Sequence, residues 1–375
     1  MSRLLPDIDP EGLLEYSVVF TDRSLNHMSR SFQAVMNDIS ETLKKVYGAE
    51  AVAVVPGGGT SAMEAVARQF ATDMRCLVIR NGWFSFRWTQ IFEMGDIPSA
   101  STVLKARPID DSEHPSFMPP PVEEVVATIE AERPGIVFAP HVETSSGMIL
   151  PDDYLRSVAD AVHSVGGMFV LDCIASGAIW VDMEVSGVDV LISAPQKGWS
   201  SSPCAGLVML NSVALERLKS TTSTSFAGDL RKWLEIMQAY EKGGHAYHAT
   251  MPTDALARFR DTMKETEAYG FSKVREEQQE LGDKVRALLV GKGIKSVAAE
   301  GFQAPGVVVS YTDDAGIQDG KKFAEAGLQI AAGVPLRCDE PETFQTFRLG
   351  LFGLDKLHNI GRTVEFLDRG FDEIL

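Results

Sequence analysis

The stretch Ser193-Ala-Pro-Gln-Lys197-Gly-Trp199 follows directly on the apolar run Val188-Asp-Val-Leu-Ile192, which predicts a buried strand. A second apolar run, Val170-Leu-Asp172, lies upstream and ends on a carboxylate. Ligands of open α/β sheets bind beyond the carboxyl ends of the strands. The two runs therefore predict that an amine, Lys197, and a carboxylate, Asp172, emerge together at one edge of such a sheet.

An amine and an acid in this arrangement suit the cofactor pyridoxal 5'-phosphate. This cofactor needs a lysine amine for its Schiff base and an acid at its pyridine nitrogen, whose positive charge makes the ring an electron sink. The pairing predicts Lys197 and Asp172 as catalytic residues. The alternative is that Asp172 is only a strand-end turn residue and Lys197 a surface lysine.

Short apolar runs alternate with helical patterns, which predicts an α/β fold with a mostly parallel central sheet covered by helices. The runs are Ala51–Val55, Cys76–Ile79, Gly135–Ala139, Gly167–Leu171, Val188–Ile192 and Gly206–Leu210. After Pro252 the pattern changes to long charged helices, two short apolar runs and a terminal helix from Asp355. We predict an N-terminal arm over residues 1–20, a large cofactor-binding domain over 21–255 and a smaller C-terminal α+β domain over 256–375.

The composition argues against several classes of function. Thirty-five Lys and Arg residues face 52 Asp and Glu residues, and the net charge of −17 opposes binding to nucleic acid or to an anionic membrane. No apolar run approaches the length of a membrane span, and the first residues lack the apolar segment of a signal peptide. The four cysteines show no C-x-x-C spacing, which favours a reducing compartment and gives no zinc motif. We expect a soluble cytoplasmic protein.

A glycine-rich turn, Val55-Pro-Gly57-Gly58-Gly59-Thr60-Ser61, lies between an apolar strand and a helical pattern. Glycines let the backbone approach an anion, and the N–H groups of a helix start can bind phosphate oxygens. The turn fits neither the P-loop nor the G-x-G-x-x-G dinucleotide spacing. On these residues alone, a phosphate cradle and a tight turn capped by Thr60 are equal alternatives.

Taken in order, these motifs resemble the class V aminotransferases of the fold type I pyridoxal-phosphate superfamily, most closely the alanine:glyoxylate and serine:pyruvate aminotransferase branch. The resemblance covers nearly the whole chain, and a series of matches in the right order is specific where one match is not. The matching segments are the glycine turn at 57–61, Asn81–Arg87, His141–Gly147, Asp172, Gln196-Lys197, Tyr247–Pro252 and Arg348–Gly353.

The resemblance implies a role for each matched residue around the cofactor. Lys197 would form the Schiff base and then move a proton, Asp172 would hold the pyridinium proton, and Phe84 would stack on the ring, with Trp83 as a competitor for that place. The remaining implied cofactor contacts are Gly58, Gly59, Thr60, Ser145, Ile174 and Gln196, with Tyr247 and Thr250 reaching the phosphate from a second subunit. The active site would then need a homodimer.

For the substrate, the resemblance implies that Arg348 binds the α-carboxylate and that Ser145 lies near the substrate. A guanidinium matches a carboxylate bidentately. The alternative is a salt bridge of Arg348 between the two domains. The chain departs from the family where a Pro-Gly-Pro segment usually lines the pocket, because Val19–Ser29 stands there instead. Arg23 or Arg87 is a candidate for a second anion contact on a carboxylate, phosphonate or sulfonate.

We therefore expect an aminotransferase that moves an amino group from a small amino acid, such as alanine or serine, to glyoxylate or pyruvate by a ping-pong route. The alternatives are a lyase or desulfurase, for which Cys338 is the one plausible nucleophile, a 2-aminoethylphosphonate-type transaminase, and a cofactor-free binding protein on the same fold. We expect no metal site. His245 with His248 lacks companion ligands, and His141 with Glu143 is interpreted as a hydrogen-bonding loop pair.

Overall fold

The computed structural model describes residues 13–375, so residues 1–12 of the predicted N-terminal arm lie outside the described residues. The strands are β1 Ala51–Pro56, β2 Arg75–Arg80, β3 Ala100–Lys105, β4 Arg107–Pro108, β5 Phe117–Met118, β6 Ile136–Pro140, β7 Val142–Glu143, β8 Met148–Ile149, β9 Met168–Asp172, β10 Val190–Ser193, β11 Ala205–Leu210, β12 Val307–Tyr311, β13 Ala331–Ala332 and β14 Thr346–Gly350. The helices are α1 Arg30–Tyr47, α2 Gly59–Phe70, α3 Trp83–Gly95, α4 Val122–Glu132, α5 Asp152–Ser164, α6 Met183–Ser186, α7 Ser212–Ser220, α8 Leu230–Glu241, α9 Thr253–Tyr269, α10 Phe271–Gly291, α11 Ala315–Gln318, α12 Lys321–Glu325, α13 Leu354–His358 and α14 Ile360–Ile374.

A seven-stranded sheet in the order β1-β11-β10-β9-β6-β2-β3 forms the centre of the molecule. Strand β11 pairs antiparallel with β1 and β10, and all the other pairs are parallel. Six strands therefore point in one direction. The predicted α/β fold with a mostly parallel sheet is confirmed.

Six of the seven strands of the large sheet form at the predicted apolar runs, which are continuous because the sheet is covered on both faces. Strands β6, β9, β10 and β11 are buried along their full length. Helix α5 buries an apolar stripe of Leu155, Val158, Ala159 and Val162 against the sheet. Strand β3 has no counterpart among the predicted strands. It lies at the sheet edge with exposed or half-buried residues, so it carries no continuous apolar run.

A second, three-stranded sheet in the order β12-β14-β13 lies in the C-terminal part of the chain. Helices α9 and α10 lead into it and are separated at Gly270. The predicted terminal helix is divided into α13 and α14 at Asn359. The N–H of Leu354 donates to the Ser200 hydroxyl at 3.0 Å, which joins this part to the turn after β10. We retain the domain boundary between residues 255 and 256 as a proposal.

Each helix within residues 13–375 is too short or too polar to cross a bilayer.

Candidate active site

The predicted site residues follow strands that end at the same edge of the large sheet. Because six strands share one direction, the segments after them emerge together. These segments are the glycine turn after β1, Asn81–Arg87 after β2, His141–Gly147 after β6, Asp172 at the end of β9 and Gln196-Lys197 after β10. The parallel topology thus gathers residues that are far apart in the sequence.

The carboxylate of Asp172 is buried without a matching cation. The residue is 7% exposed, and its Oδ1 accepts the backbone N–H of Ile174 at 2.9 Å. Within residues 13–375, no Lys, Arg or His forms an ion pair with it. Burial raises the pKa of Asp172 to about 7, although the hydrogen bond from Ile174 opposes this shift. A positively charged ring nitrogen is the kind of group that would stabilise this carboxylate.

Lys197 lies in the turn after β10 with its side chain partly buried. Burial lowers the pKa of Lys197, Arg348 lowers it further, and Asp172 opposes both effects. Its Nζ lies 5.2 Å from the centroid of the Phe352 ring. A lower pKa increases the neutral, nucleophilic fraction of the amine, which is what the predicted role needs.

Phe84 lies in the first turn of α3 between two arginines. Its ring centroid is 5.1 Å from the guanidinium carbon of Arg87 and 5.5 Å from that of Arg348. The competing aromatic residue, Trp83, packs instead against Arg337, whose guanidinium carbon lies 5.2 Å from a Trp83 ring centroid. Phe84 is therefore the aromatic residue that lies beside the predicted substrate arginine.

Glu143 holds the start of α3, a role that the sequence analysis did not predict. Its carboxylate accepts the N–H groups of Phe84, Ser85 and Ser145 and both serine hydroxyls, at 2.7–3.1 Å. The Ser145 Oγ in turn accepts the N–H of Trp83 at 2.8 Å. Ser145 and the aromatic pair are thereby fixed to one buried carboxylate. The sequence shows only a glutamate within the segment His141–Gly147, without a distinctive spacing, and its burial is known only from the structure.

The predicted hydrogen-bonding pair of His141 and Glu143 is wrong. His141 Nδ1 lies 2.7 Å from the Ser176 hydroxyl, and Glu143 is engaged at α3. Burial, together with Arg275, lowers the pKa of His141 to about 3, so the ring is neutral. Within residues 13–375, no cluster of His, Cys, Asp and Glu side chains could hold a metal ion.

The glycine turn has the features of an anion cradle at the N-terminus of α2. A Cβ added to Gly59 would lie 2.3 Å from Ile174 Cδ1, so only glycine fits there without displacing that side chain. Arg87 Nη1 donates to the Thr60 hydroxyl at 2.8 Å and brings a cation to the helix start. The Gln196 Oε1 is buried and lacks a hydrogen-bond partner among residues 13–375. These features fit a phosphate better than they fit a turn capped by Thr60 alone.

Arg348 extends from β14 toward this edge of the large sheet. Its Nε donates to the carbonyl of Ala332 at 2.8 Å, and burial lowers the pKa of its guanidinium. No carboxylate of residues 13–375 forms an ion pair with it, so the alternative of a salt bridge between domains is wrong. Of the two candidates for a second anion contact, Arg87 lies in the site, whereas Arg23 is exposed beside Asp22.

Tyr247 and Thr250 lie together on the surface. Their hydroxyl oxygens are 3.2 Å apart, and Tyr247 is 54% exposed. The Tyr247 ring packs against His27 with centroids 5.5 Å apart. His27 belongs to Val19–Ser29, the segment that stands where the family has a Pro-Gly-Pro segment. This segment therefore lies next to the predicted intersubunit residues.

Comparison with known proteins gives relatives that include several transaminases. No protein-family model matches the chain. A 2-aminoethylphosphonate–pyruvate transaminase of Syntrophobacter fumaroxidans is 26% identical over 345 residues, covering 88% of this chain and 87% of the relative. Alanine–glyoxylate aminotransferase 1 of Saccharomyces cerevisiae is 27% identical over 333 residues, covering 83% and 82%. The solved structure of a Nostoc alanine–glyoxylate aminotransferase matches with a TM-score of 0.76 at 23% identity, covering 92% of this chain and 88% of that one.

This chain is a relative of the class V aminotransferases. The resemblance and the fold type I assignment predicted from the motifs are confirmed. The prediction of an amino-group-transferring enzyme is also confirmed, because the named relatives are transaminases. Binding of pyridoxal phosphate is a general property of this family.

Gly198 lies close to the backbone of a neighbouring loop at Gly177. A Cβ at position 198 would lie 2.0 Å from the Gly177 carbonyl oxygen, and a backbone atom cannot rotate away as a side chain can. Gly198→Ala is therefore expected to destabilise the protein by about 2 kcal/mol and to weaken cofactor binding. Urea unfolding and a spectrophotometric cofactor titration measure both effects. Gly361→Ala is the matched control, because its Cβ would meet open space; equal behaviour of the two variants would contradict the prediction.

Proposed function

We propose that the chain is a pyridoxal-phosphate-dependent aminotransferase that moves an amino group from a small amino acid to a 2-oxo acid such as glyoxylate or pyruvate by a ping-pong route. The observation that carries the proposal is the charge arrangement at the sheet edge. The buried, uncompensated Asp172 and the partly desolvated Lys197 influence each other's pKa, and Arg348 lies near the lysine. The relatives' names support the same chemistry.

When bound, the cofactor supplies an electron sink for a carbanion at the substrate's Cα. The protein's own groups would then perform three tasks. Asp172 would keep the proton on the ring nitrogen, Lys197 Nζ would hold the cofactor and afterwards move the proton from Cα, and Phe84 would orient the ring face. The phosphate would be held by Gly58, Gly59, Thr60 and Gln196, with Ile174 against the ring and Ser145 near its phenolic oxygen.

Arg348 would orient the substrate through its α-carboxylate, since no carboxylate of residues 13–375 pairs with it. Arg348→Gln is expected to lower kcat/KM for the amino donor about 100-fold, which corresponds to the loss of a charge-assisted, bidentate contact. The effect should fall mainly on KM, whereas Arg348→Lys should recover only part of the loss because an ammonium lacks the fork. Steady-state kinetics with a saturating 2-oxo acid measure this change. A normal KM in Arg348→Gln would exclude the assignment.

We propose a homodimer with shared active sites. The support is the exposed pair of Tyr247 and Thr250, which match residues that contact the phosphate across an interface. Mixing two inactive variants, Lys197→Ala and a Tyr247→Ala/Thr250→Ala double variant, should restore activity after subunit exchange, because one site of each heterodimer would be intact. If the mixture stays inactive while sedimentation shows exchanged dimers, the sites are not shared.

A cytoplasmic location is part of the proposal. The four cysteines, Cys76, Cys173, Cys204 and Cys338, are all buried and none forms a disulfide. This pattern is typical of a reducing compartment.

The desulfurase alternative is disfavoured by the state of the thiols. Cys338, the expected exception, is 3% exposed, and burial raises its pKa to about 12. Burial also raises the pKa of Cys204 to about 11 and that of Cys173 well above its usual value. A desulfurase needs a reactive thiolate near the substrate, and these groups are held as thiols.

An absorbance spectrum of the purified protein tests the proposed function. A cofactor band near the visible edge is expected, and an amino donor should shift it until glyoxylate or pyruvate restores it. Alanine, serine, aspartate, 2-aminoethylphosphonate and taurine are added one at a time. Steady release of ammonia or sulfide would favour a lyase, and a protein that takes up no cofactor would be a binding protein on this fold.

A further inference from the structure

Three arginines without a carboxylate partner surround the dipeptide Trp83-Phe84. Arg87 and Arg348 flank the Phe84 ring, and Arg337 lies over the Trp83 ring. No Asp or Glu of residues 13–375 forms an ion pair with any of the three. In a chain with a net charge of −17, such a group of unpaired cations indicates a ligand with several negative charges.

One of these charges, Arg348, already has a role under the proposed function, on which this inference rests, and a second, Arg87, is engaged at the glycine turn. Arg87 is held by the Thr60 hydroxyl at the glycine turn, where the cofactor phosphate would bind. Arg348 is assigned to the substrate's α-carboxylate. Arg337 is left over, and none of the matched motifs includes it.

The acidic residues that follow Arg337 in the sequence, Asp339 and Glu340, are engaged by groups other than its guanidinium. Asp339 pairs with Lys105 at 2.6 Å. The carboxylate of Glu340 accepts the backbone N–H groups of Leu336, Arg337 and Cys338 at 2.7–2.9 Å. Arg337 is exposed, and its guanidinium rests on an aromatic face with its N–H donors available to a ligand.

The loop presents Arg337 in a fixed conformation. Its backbone is left-handed, with φ of 64°, which costs a non-glycine residue free energy and requires support from its surroundings. The support comes from Glu340 and from Arg80, whose Nη1 donates to the Arg337 carbonyl at 3.4 Å. The loop also begins next to Ala332, whose carbonyl oxygen accepts the N–H of Arg348 Nε. The same short segment thus sets the positions of both arginines.

We propose that Arg337 binds a second, distal anionic group of the amino donor or of the 2-oxo acid. The preferred substrates are then acidic at both ends: an α-amino acid whose side chain ends in a carboxylate, phosphonate or sulfonate. Arg337 is a specificity-determining residue that discriminates such substrates from alanine, and it takes the place that the sequence analysis gave to Arg23 or Arg87.

The first test is kinetic and compares donors. Aspartate or another acidic donor should exceed alanine in kcat/KM, and Arg337→Gln should lower the acidic donor's value about 30-fold while changing that of alanine less than about threefold. Arg337→Asn, which tolerates the left-handed backbone, should give the same pattern. Arg156→Gln on α5, which removes an exposed arginine paired with Asp160, is the charge-matched control. An equal loss for both donors, or a wild-type preference for alanine, would overturn the proposal.

The second test does not depend on turnover. Isothermal titration compares the binding of propionate, succinate and 3-phosphonopropionate to the cofactor-loaded protein. Succinate or the phosphonate should bind at least about tenfold more tightly than propionate, and Arg337→Gln should abolish the difference; the tighter of the two identifies the anion. Equal binding of all three would overturn the proposal. Tight, Arg337-dependent binding in a protein that transfers no amino group would instead preserve this site and reject the proposed function.

Discussion

Lys197→Ala is expected to lower the rate of amino transfer about 10,000-fold or more, because it removes both the bond to the cofactor and the base that moves the proton. The same variant should lose the cofactor band near the visible edge or hold it only weakly. Steady-state assays and absorbance spectra measure the two effects on one preparation. Folding should be unaffected, because the side chain makes no ion pair within residues 13–375 that its removal would break.

Lys45→Ala is the matched control for this experiment. Lys45 lies on α1 and pairs with Glu267 on the surface, so its loss should leave both the rate and the spectrum unchanged. Added methylamine should restore part of the rate in Lys197→Ala if the amine acts as a base. A Lys197→Ala protein with more than about one per cent of normal activity would exclude the lysine from the chemistry.

Asp172→Asn is expected to lower kcat about 1,000-fold, because an amide cannot stabilise the positive charge on the ring nitrogen. The Asn oxygen can still accept the Ile174 N–H, so the loop should remain in place. Single-turnover absorbance measurements separate this chemical step from binding. Asp160→Asn on the surface of α5 should behave as wild type, and a normal rate in Asp172→Asn would contradict the assigned role.

The same carboxylate predicts how the stability of the cofactor-free protein depends on pH. Its pKa is about 7 in the folded chain against 3.8 when unperturbed, because burial disfavours the charged form. The folded state then binds more protons than the unfolded state between these values, so stability falls as pH rises from about 4 to about 7. The Asn variant lacks this loss. Its free energy of unfolding should gain about 2–3 kcal/mol over wild type between pH 5 and pH 8.

Urea unfolding at the two pH values measures this difference. A constant difference between wild type and Asp172→Asn would show that Asp172 does not carry a raised pKa in the folded state. Cofactor binding should reduce the pH dependence of the wild type, since a cationic ring nitrogen would stabilise the ionised carboxylate.

Much of the candidate site could be predicted from the sequence, because its residues directly follow apolar runs that form strands. The apolar runs before Asp172 and Lys197 identify the strands, and parallel strands bring their carboxyl ends to one edge whatever the details of packing. Phe84, Ser145 and Gln196 are candidates through the resemblance of the ordered motifs, and their roles stay predictions. Glu143 did not, because three of its five hydrogen bonds come from Phe84 and Ser85, nearly sixty residues away in the sequence.

The sequence by itself determined the α/β fold, the mostly parallel sheet and the pairing of an amine with a carboxylate, since these depend on local apolar patterns and their order. Only the tertiary structure decided which of the candidate arginines lie beside Trp83 and Phe84. Arg337 meets Trp83 across more than two hundred residues of chain, and Gly198 meets the backbone of Gly177. Such contacts depend on how separate elements pack, and no local pattern encodes them. The positions of the candidate substrate-binding arginines therefore depend on packing, whereas the candidate cofactor-binding residues follow from the positions of the strand ends.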